Sequence, residues 1–191
     1  MRLSFLRAAD RTPAPWKNGG GVTFEIAAFP EGAGLAAFDW RVSVAQVAAG
    51  GSFSRFEGVD RLMLVLDGRL ELDVAGERLG LDERSPAAAF AGEAEVNALP
   101  PAAPVTDLNV MVRRGVYTAT LERRGAATAG VVCQDITLVL CPAQLNAAVG
   151  ARRCHLAPGD VLRIEAARGL LARLKPETAA EVIVAHINAV R

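Results

Sequence analysis

The sequence predicts an all-β fold in which short antiparallel strands pair as jelly-roll barrels. Three features of the 191-residue chain indicate this class. Short apolar runs with period-two alternation recur along the chain, Gly, Pro and Asp separate them, and no long run has helical periodicity. Only residues 176–182 leave room for one short turn of helix. Hydrophobic residues make up 51% of the chain, which is enough for a sizeable core.

The first half contains the clearest strand and hairpin signals. Strands are predicted at residues 24–29, 40–47, 61–66, 69–74, 78–81, 105–112 and 117–122. Asp67 and Gly68 separate two of these runs, and Asp-Gly between apolar runs favours a two-residue hairpin. Within 40–47, Arg41 and Ser43 alternate with apolar residues and share one face of the strand. Such alternation is typical of a sheet with one face against a core.

The second half repeats this pattern. Strands are predicted at residues 136–140, 145–149, 153–156, 161–165, 170–174 and 182–188. The Leu-Val-Leu run at 64–66 recurs at 138–140, and turn residues follow it at both places. A strand-turn-strand unit repeated in this way predicts two similar β units, which we assign to residues 1–124 and 125–191. Because the second unit is small for an independent core, we expect an N-terminal strand near residues 3–6 to cross over and complete it.

Charge and cysteine usage exclude several classes of protein. The 21 basic residues balance 21 acidic ones, so the chain lacks the basic excess of a nucleic-acid binder. The N-terminal apolar run is too short for a signal peptide, and the longest uncharged run, 136–151, falls short of a membrane span. The 3 cysteines lack CxxC spacing and are interpreted as free thiols. We therefore expect a cytoplasmic protein that has neither nucleic acid nor membrane as a partner.

The most unusual segment is the run PWKNGGG at residues 15–21. Trp16, Lys17 and Asn18 precede three glycines, which allow positive φ and leave backbone amides uncovered. Such a loop could close on an anion, with the ammonium and the amides binding charge and the indole shielding the site. A flexible turn before the next strand explains the composition equally well. The segment is not a P-loop, because the GK[ST] ending is absent.

Arg61 is a second candidate for binding an anion. It follows Asp60 at the start of an apolar strand, and its guanidinium could fork onto a ligand carboxylate. A structural ion pair with Asp60 or Glu57 is the alternative. Phe53 is predicted to anchor the preceding loop in the core, as is Phe56 three residues later.

The strand at 105–112 carries a third candidate. Strand alternation places Asp107 and Asn109 on one face, together with Met111 and Arg113. Asp and Asn are poor strand formers, so two of them on one face require a reason. Either they form a polar pocket wall, or they lie on a solvated edge strand.

Taken together, these segments resemble the HutD/Ves family of bacterial cupin-like proteins. The resemblance rests on WKNGGG with Thr23, Glu25 and Ile26, on Trp40-Arg41 with Ser43, on Phe53-Ser54 with Phe56, Gly58 and Asp60-Arg61, and on Asp107 to Met111 before Arg113-Arg114-Gly115. These blocks cover residues 13–115 in the family's order. The resemblance implies a cupin-type double β-barrel (a bicupin) in the cytoplasm and a link to histidine utilisation. In that pathway HutD is thought to bind urocanate or a related small acid, whereas the Ves branch is described only as stress-associated.

We therefore expect a non-catalytic protein that binds a small anionic metabolite of the urocanate type. In this hypothesis Arg61 or Lys17 holds the ligand carboxylate, polar side chains supply directional hydrogen bonds, and an indole such as that of Trp16 or Trp40 covers the imidazole. The predicted ligand-binding residues are Trp16, Lys17, Asn18, Arg41, Ser43, Arg61, Asp107 and Asn109.

Metal and cofactor binding are not expected. Cupins that bind metals present two or three His and a Glu from facing strands, whereas this chain has only His155 and His186, both in the second half. Two distant histidines cannot build a closed transition-metal site without carboxylate help.

Two other functions stay open. One is a metal-independent cupin isomerase or lyase acting on a small polar metabolite, with Asp107 or Lys17 as the acid–base group, because burial can move either pKa towards neutrality. No GxSxG nucleophile motif is present. The other is a protein-interaction regulator with a vestigial pocket. The apolar-rich composition also leaves room for a homodimer, although the sequence shows no interface.

Overall fold

The structure, a computed structural model, describes residues 1–125 and 130–191. That part of the chain forms nineteen β-strands and one 3-10 helix at Ala8–Asp10. No helix among the described residues is long and apolar enough to cross a membrane. The strands fall into two compact units. The central unit is Thr12–Thr118, and the terminal unit combines Met1–Arg11 with Ala119–Arg191. The division thus lies at Thr118, where the sequence analysis had placed it at residue 124.

The central unit contains two antiparallel sheets around one core. The larger sheet has the strand order β2 (Pro13–Pro15), β3 (Gly21–Phe29), β4 (Trp40–Val47), β11 (Val105–Arg113), β6 (Val59–Asp67) and β9 (Ala88–Ala91). The smaller has the order β5 (Gly51–Ser52), β10 (Val96–Ala98), β7 (Arg69–Val74) and β8 (Glu77–Asp82). Apolar side chains of both sheets share one buried cluster, among them Val47, Met63, Val65, Leu70 and Leu72. The sheets therefore face each other, and alternate residues of each strand point into the unit.

The terminal unit has the same two-layer architecture. Its larger sheet has the order β1 (Arg2–Leu6), β17 (Val161–Glu165), β14 (Ile136–Leu140), β19 (Val182–Ala189) and β12 (Tyr117–Arg124). Its smaller sheet has the order β13 (Gly130–Val132), β18 (Leu171–Pro176), β15 (Leu145–Val149) and β16 (Arg152–Leu156). The cluster between them consists of apolar side chains and thiols, among them Val139, Leu145, Leu162, Ile164 and Val184.

The N-terminal strand belongs to the terminal unit. Strand β1 pairs antiparallel with β17. The carboxylate of Asp160 accepts hydrogen bonds from Arg7 Nη1 at 2.6 Å and from the backbone N–H of Ala8 at 2.8 Å. Arg11 Nη2 donates to the carbonyl of Gly159 at 2.6 Å. These bonds hold residues 7–11 against the turn before β17.

The strand order of one unit repeats in the other. The order β5-β10-β7-β8 corresponds to β13-β18-β15-β16, and β4-β11-β6-β9 corresponds to β12-β19-β14-β17. Strands β2 and β3 extend the first of these large sheets on the β4 side, whereas β1 extends the second on the β17 side. The predicted all-β, cupin-type double jelly-roll is confirmed.

One local prediction was wrong. The short helical turn for which the sequence left room at 176–182 is absent, because Pro176 ends β18 opposite Leu145 and Val182 begins β19. Between them, the backbone N–H of Glu177 donates to the carbonyl of Gln144 at 2.9 Å. That bond continues the sheet past the proline, so no helical hydrogen bonds start there.

Candidate functional site

The polar residues predicted on β4 and β11 lie on the face of the large central sheet that is turned to the core. Asn109 pairs with Ser43 on one side and with Met63 on the other. Asp107 pairs with Val65. Met63 and Val65 belong to the buried cluster, and directly opposed residues share a face of a sheet. Strand β11 is thus a central strand, and the alternative of a solvated edge strand was wrong.

Arg61, Asn109 and Asp107 form a buried hydrogen-bonded chain. Arg61 Nη2 donates to Asn109 Oδ1 at 2.9 Å, and Asn109 Nδ2 donates to Asp107 Oδ1. The exposed fractions of the three residues are 7%, 6% and 1%. Asp60, which the sequence offered as an ion-pair partner of Arg61, instead accepts a hydrogen bond from Arg114 Nε at 2.7 Å. The guanidinium is therefore linked to a carboxyl group only through an amide.

Within the hydrogen-bonded chain of Arg61, Asn109 and Asp107, two polar atoms are buried without a hydrogen-bond partner among the described residues: Arg61 Nε and Asp107 Oδ2. A buried donor or acceptor that stays unpaired costs roughly 1–3 kcal/mol. Two such atoms at the ends of one hydrogen-bonded chain indicate where a further polar group would be stabilised.

Burial shifts the pKa values of both charged members of the chain. Desolvation raises the pKa of Asp107 to about 7, against the opposing effects of the Arg61 charge and the Asn109 hydrogen bond. Desolvation also lowers the pKa of Arg61 to about 10, with Asp107 opposing and Arg41 reinforcing the shift. At neutral pH, Arg61 stays a cation while Asp107 lies near its midpoint of titration.

Three phenylalanine rings surround the guanidinium of Arg61. Its Cζ lies 5.2 Å from the ring centroids of Phe53 and Phe90 and 6.0 Å from that of Phe56. Arg61 Nη1 is also 3.4 Å from the carbonyl oxygen of Ser54, in the loop that carries two of the rings. Cation–π contacts favour the charged form and hold the guanidinium in one orientation.

A second arginine lies on the same face. Arg41 and Arg61 are both opposite Met111, on the two strands that flank β11. Arg41 Nε donates to Glu25 Oε2 at 2.8 Å, and its Nη1 lies 3.4 Å from Ser43 Oγ. The Arg41 side chain is 11% exposed and that of Glu25 is 43% exposed, so this pair is nearer to solvent than the buried chain.

The PWKNGGG segment contributes one side chain to the surroundings of the site. Trp16 Nε1 donates to Thr23 Oγ1 at 2.8 Å, and the indole meets the Phe53 ring edge-on at 6.2 Å. Lys17 and Asn18 are exposed, and Asn18 Oδ1 accepts the backbone N–H of the second glycine of the run at 3.0 Å. This geometry favours a turn before the next strand over the anion-closing loop, and hydrogen bonds within the turn hold it in one conformation.

Glycine is required where the turn meets the sheet. A Cβ at Gly21 would collide with the carbonyl oxygen of Gln46 and lie 3.0 Å from the Trp16 ring. The run of glycines therefore allows a close backbone approach, and its amides are not presented to a ligand.

The structure thus brings together six of the eight predicted site residues: Trp16, Arg41, Ser43, Arg61, Asp107 and Asn109. Trp40, named as an alternative indole, lies on the opposite face of β4 and stacks against Phe29, so that alternative was wrong. The sequence analysis did not assign Glu25 or Phe90 to the site. Glu25 was visible in the motif that follows WKNGGG, whereas no local signal marked Phe90.

The two histidines lie apart from this cluster, in the terminal unit. His155 is exposed, with Nδ1 3.1 Å from Asn146 Oδ1. His186 is buried, its Nδ1 lies 3.0 Å from Thr137 Oγ1, and desolvation lowers its pKa. Within residues 1–125 and 130–191, no group of three or more His, Cys, Asp or Glu side chains is placed to hold a metal ion. The cysteines are free thiols.

The family model and the relatives that match this chain all point to the same family. The model of the HutD family matches residues 8–183. The chain is 39% identical over 126 residues to a 21.2 kDa protein in the hutC 3′ region of Pseudomonas putida, covering 63% of this chain and 64% of that protein. It is 38% identical over 101 residues to protein Ves of Citrobacter koseri, covering 52% of each chain. The matches therefore span less than two thirds of these curated relatives.

Solved structures are similar over nearly the whole chain. A conserved protein of unknown function from Pseudomonas aeruginosa PAO1 superposes with a TM-score of 0.89 at 31% identity, covering 98% of this chain and 100% of that one. HutD from Pseudomonas fluorescens SBW25, in a formate condition, superposes with a TM-score of 0.83 at 28% identity over 100% of both chains. The Escherichia coli protein YlbA, at 10% identity and a TM-score of 0.71 over 96% of this chain and 89% of that one, shares the fold alone.

Proposed function

The chain belongs to the HutD family, and from this premise we propose that it is a non-catalytic binding protein for a small carboxylate of the urocanate type. In this proposal the protein modulates histidine utilisation by sensing or retaining such an acid in its central unit. The P. putida relative lies in the hutC 3′ region and the P. fluorescens structure is of HutD, which supports the link to histidine utilisation.

The observation that carries the proposal is the unpartnered Nε–H of Arg61 inside the central unit. A guanidinium offers donors only, so the group that would satisfy this atom is an acceptor. A carboxylate is the acceptor whose two oxygens match the spacing of guanidinium N–H groups. Because the site is buried, the attraction between the two charges is weakly screened by solvent.

The charge balance of the cluster also favours an anion. Arg41 is paired with Glu25, whereas the carboxyl of Asp107 is separated from Arg61 by the amide of Asn109. With Asp107 protonated, Arg61 is the member of this cluster whose charge no described side chain neutralises directly. A monoanionic ligand would compensate it.

The aromatic side chains around the Arg61 guanidinium suit a flat ligand. Phe53, Phe56 and Phe90 surround the cation, and the indole of Trp16 adjoins the first of these rings. Aromatic faces stabilise planar groups by stacking. Urocanate combines a carboxylate with a conjugated imidazole, so it meets both requirements.

Ligand binding can be tested by calorimetry and thermal unfolding with urocanate, histidine, formate and a neutral sugar. We expect the carboxylates to bind and raise the unfolding temperature, and the sugar to do neither. Arg61→Met should abolish carboxylate binding; because it also removes the donor to buried Asn109 Oδ1, circular dichroism must first show that the variant is folded. Lys17→Met is the matched control, since its exposed ammonium should change affinity by less than about twofold. If no carboxylate binds the wild-type protein, the proposed function is wrong.

A metal-independent isomerase or lyase is the second candidate function. The observation that favours it is the buried Asp107 carboxyl, whose pKa of about 7 suits an acid–base group. In that case Asp107→Asn would abolish turnover of a small polar metabolite while ligand binding persisted. Turnover unaffected by this substitution would exclude Asp107 as the acid–base group.

A further inference from the structure

Asp107 Oδ2 is the second unpartnered polar atom of the buried chain, and it constrains the ligand as much as Arg61 does. Asp107 Oδ1 already accepts from Asn109, whose own carbonyl accepts from the guanidinium. Because Asn109 is oriented by both bonds, it can only donate to Asp107. Any proton on the carboxyl group therefore sits on Oδ2, where it has no acceptor within the described chain.

The protonation state decides whether Asp107 helps or opposes an anion. As a carboxylate, Asp107 would place a second negative charge near the ligand inside a poorly solvated site, which is unfavourable. As an acid, its O–H would be a donor without an acceptor, as Arg61 Nε–H is. Each of the two unsatisfied donors then requires an acceptor, and a carboxylate ligand has two oxygens that can accept.

We propose that Asp107 donates a hydrogen bond from its protonated Oδ2 to the bound anion, so that the site takes up a proton from solvent with each monoanionic ligand and returns it on release. This inference rests on the proposed function and assigns Asp107 as the residue that couples binding to pH. It also selects the ligand class, because a carboxylate acceptor is favoured at Oδ2 over a group that presents an N–H donor there.

Asn109 makes this arrangement possible by acting as a spacer. A direct ion pair between Arg61 and Asp107 would hold the carboxyl in its charged form and neutralise the guanidinium. With the amide between them, the cation stays available and desolvation raises the pKa of the acid towards neutrality. The pKa of about 7 for Asp107 agrees with this arrangement.

Other charges around Asp107 do not replace it as the titrating group. Flanking strands present Arg61 from β6 and Arg41 from β4, and beyond them β3 presents Glu25, while Arg113 and Asp39 form a pair at the far end of β11. The opposite sheet contributes apolar side chains, namely Leu70, Leu72, Leu81, Val96 and Ala98. Residues 12–118 contain neither His nor Cys, so proton uptake near neutral pH in this unit is assigned to Asp107.

Formate is the probe of choice, because its own ionisation is complete over the range tested. Isothermal titration of the wild-type protein between about pH 6 and about pH 8.5 should show affinity falling by up to about tenfold per pH unit above the pKa of Asp107. Titrations in two buffers with different ionisation enthalpies should show uptake of about one proton per formate at the alkaline end. This second measurement needs no variant.

Asp107→Asn should remove the pH dependence without removing binding. The asparagine carbonyl would accept from Asn109, and its amide would place a permanent donor where Oδ2 lies. At about pH 8.5 the variant should therefore bind formate about tenfold or more tighter than the wild type. Asp67→Asn is the matched control, since this exposed carboxylate of the same unit should leave the pH profile unchanged.

The outcomes separate this inference from the proposed function. Formate binding that is equally tight across the pH range, without proton uptake, overturns the inference and leaves carboxylate binding standing. Weaker binding by Asp107→Asn at alkaline pH also overturns it, because Asp107 would then accept from the ligand. Absence of binding at every pH overturns the proposed function, and the inference falls with it.

Discussion

The central and terminal units share a strand order, but the interior of the central unit contains several charged and polar side chains and that of the terminal unit is mainly apolar. In the central unit the inner face of the large sheet carries Arg41, Arg61, Asp107 and Asn109, whereas the core of the terminal unit is apolar. Burying charges is costly unless a partner compensates them, and the same topology is available without them. The polar interior therefore costs the central unit stability that the terminal unit keeps, and the proposed carboxylate binding would explain this cost.

The internal repeat allows the two units to be compared residue by residue. When residues 64–66 are aligned with 138–140, the strand registers make Asn109 equivalent to His186, since they lie opposite Met63 and Thr137 respectively. By the same registers, Asp107 corresponds to Val184. At the position of Asn109 the terminal unit thus keeps a buried polar residue, His186, which pairs with its neighbour Thr137, and at the position of Asp107 it has a core valine.

The largest expected effect lies in the apolar interior. Leu162→Ala should lower the free energy of unfolding by about 4 kcal/mol, because Leu162 is fully buried and its removal leaves a cavity. Urea denaturation followed by circular dichroism measures this change. Leu170→Ala is the control, since Leu170 is 42% exposed and should change little. A similar small loss for both variants would remove the basis for assigning stability to this core.

The second prediction concerns the cost of the polar interior and needs no ligand. The folded-state pKa of Asp107, about 7, lies above that of an unfolded aspartate, so the folded protein binds the extra proton and loses stability as pH rises through this interval. Asparagine has no carboxyl proton to lose as the pH rises. The free energy of unfolding of Asp107→Asn should therefore exceed that of the wild type by about 3 kcal/mol at about pH 8 but not at about pH 4. Urea unfolding of both proteins at the two pH values tests this. Parallel pH profiles would show that burial of Asp107 costs nothing.

The third prediction concerns the bonds that attach the N-terminal segment to the terminal unit. Burial raises the pKa of Asp160, but hydrogen bonds from Ala8, Arg7 and Ala157 outweigh it and leave the pKa below its usual value. The carboxylate therefore stabilises the fold above its unfolded pKa, and this contribution disappears as pH falls through the folded one.

Asp160→Asn should accordingly cost about 2 kcal/mol near neutrality and less at about pH 3, because part of the charge-dependent contribution has been lost there. The exposed Asp10 provides the control Asp10→Asn, which should have little effect at either pH. Should Asp160→Asn cost as much in acid as at neutrality, the charge of Asp160 would not be what holds the segment.

The longer strands were predictable because alternation over five or more residues carries a clear signal. Strands β2, β5, β9, β10 and β13 were missed, since each has only two to four residues and is held by pairing with longer neighbours. The helical turn after Pro176 did not form for a related reason: the backbone N–H of Glu177 donates a hydrogen bond to Gln144, just before β15, and local helical hydrogen bonds are absent there.

The site residues, like the strands, were predictable where local alternation placed them and not where contacts between distant strands did. Alternation correctly placed Asp107 beside Asn109 and Arg41 beside Ser43 on shared faces. Lys17 and Asn18 were assigned to the site from the composition of their segment, but both are exposed and Asn18 accepts a hydrogen bond from the backbone of the turn itself. Phe90 was not predictable, because its contact with Arg61 depends on the pairing of β6 with β9.

The sequence by itself determined the fold class, the repeat, the family and which side chains share a strand face, because these follow from periodicity and from local motifs. Only the tertiary structure decided which face turns inward, that an amide separates Arg61 from Asp107, and that the acid titrates near neutrality. Desolvation and hydrogen bonds across strands depend on register and packing between segments far apart in the chain, and no local pattern encodes them.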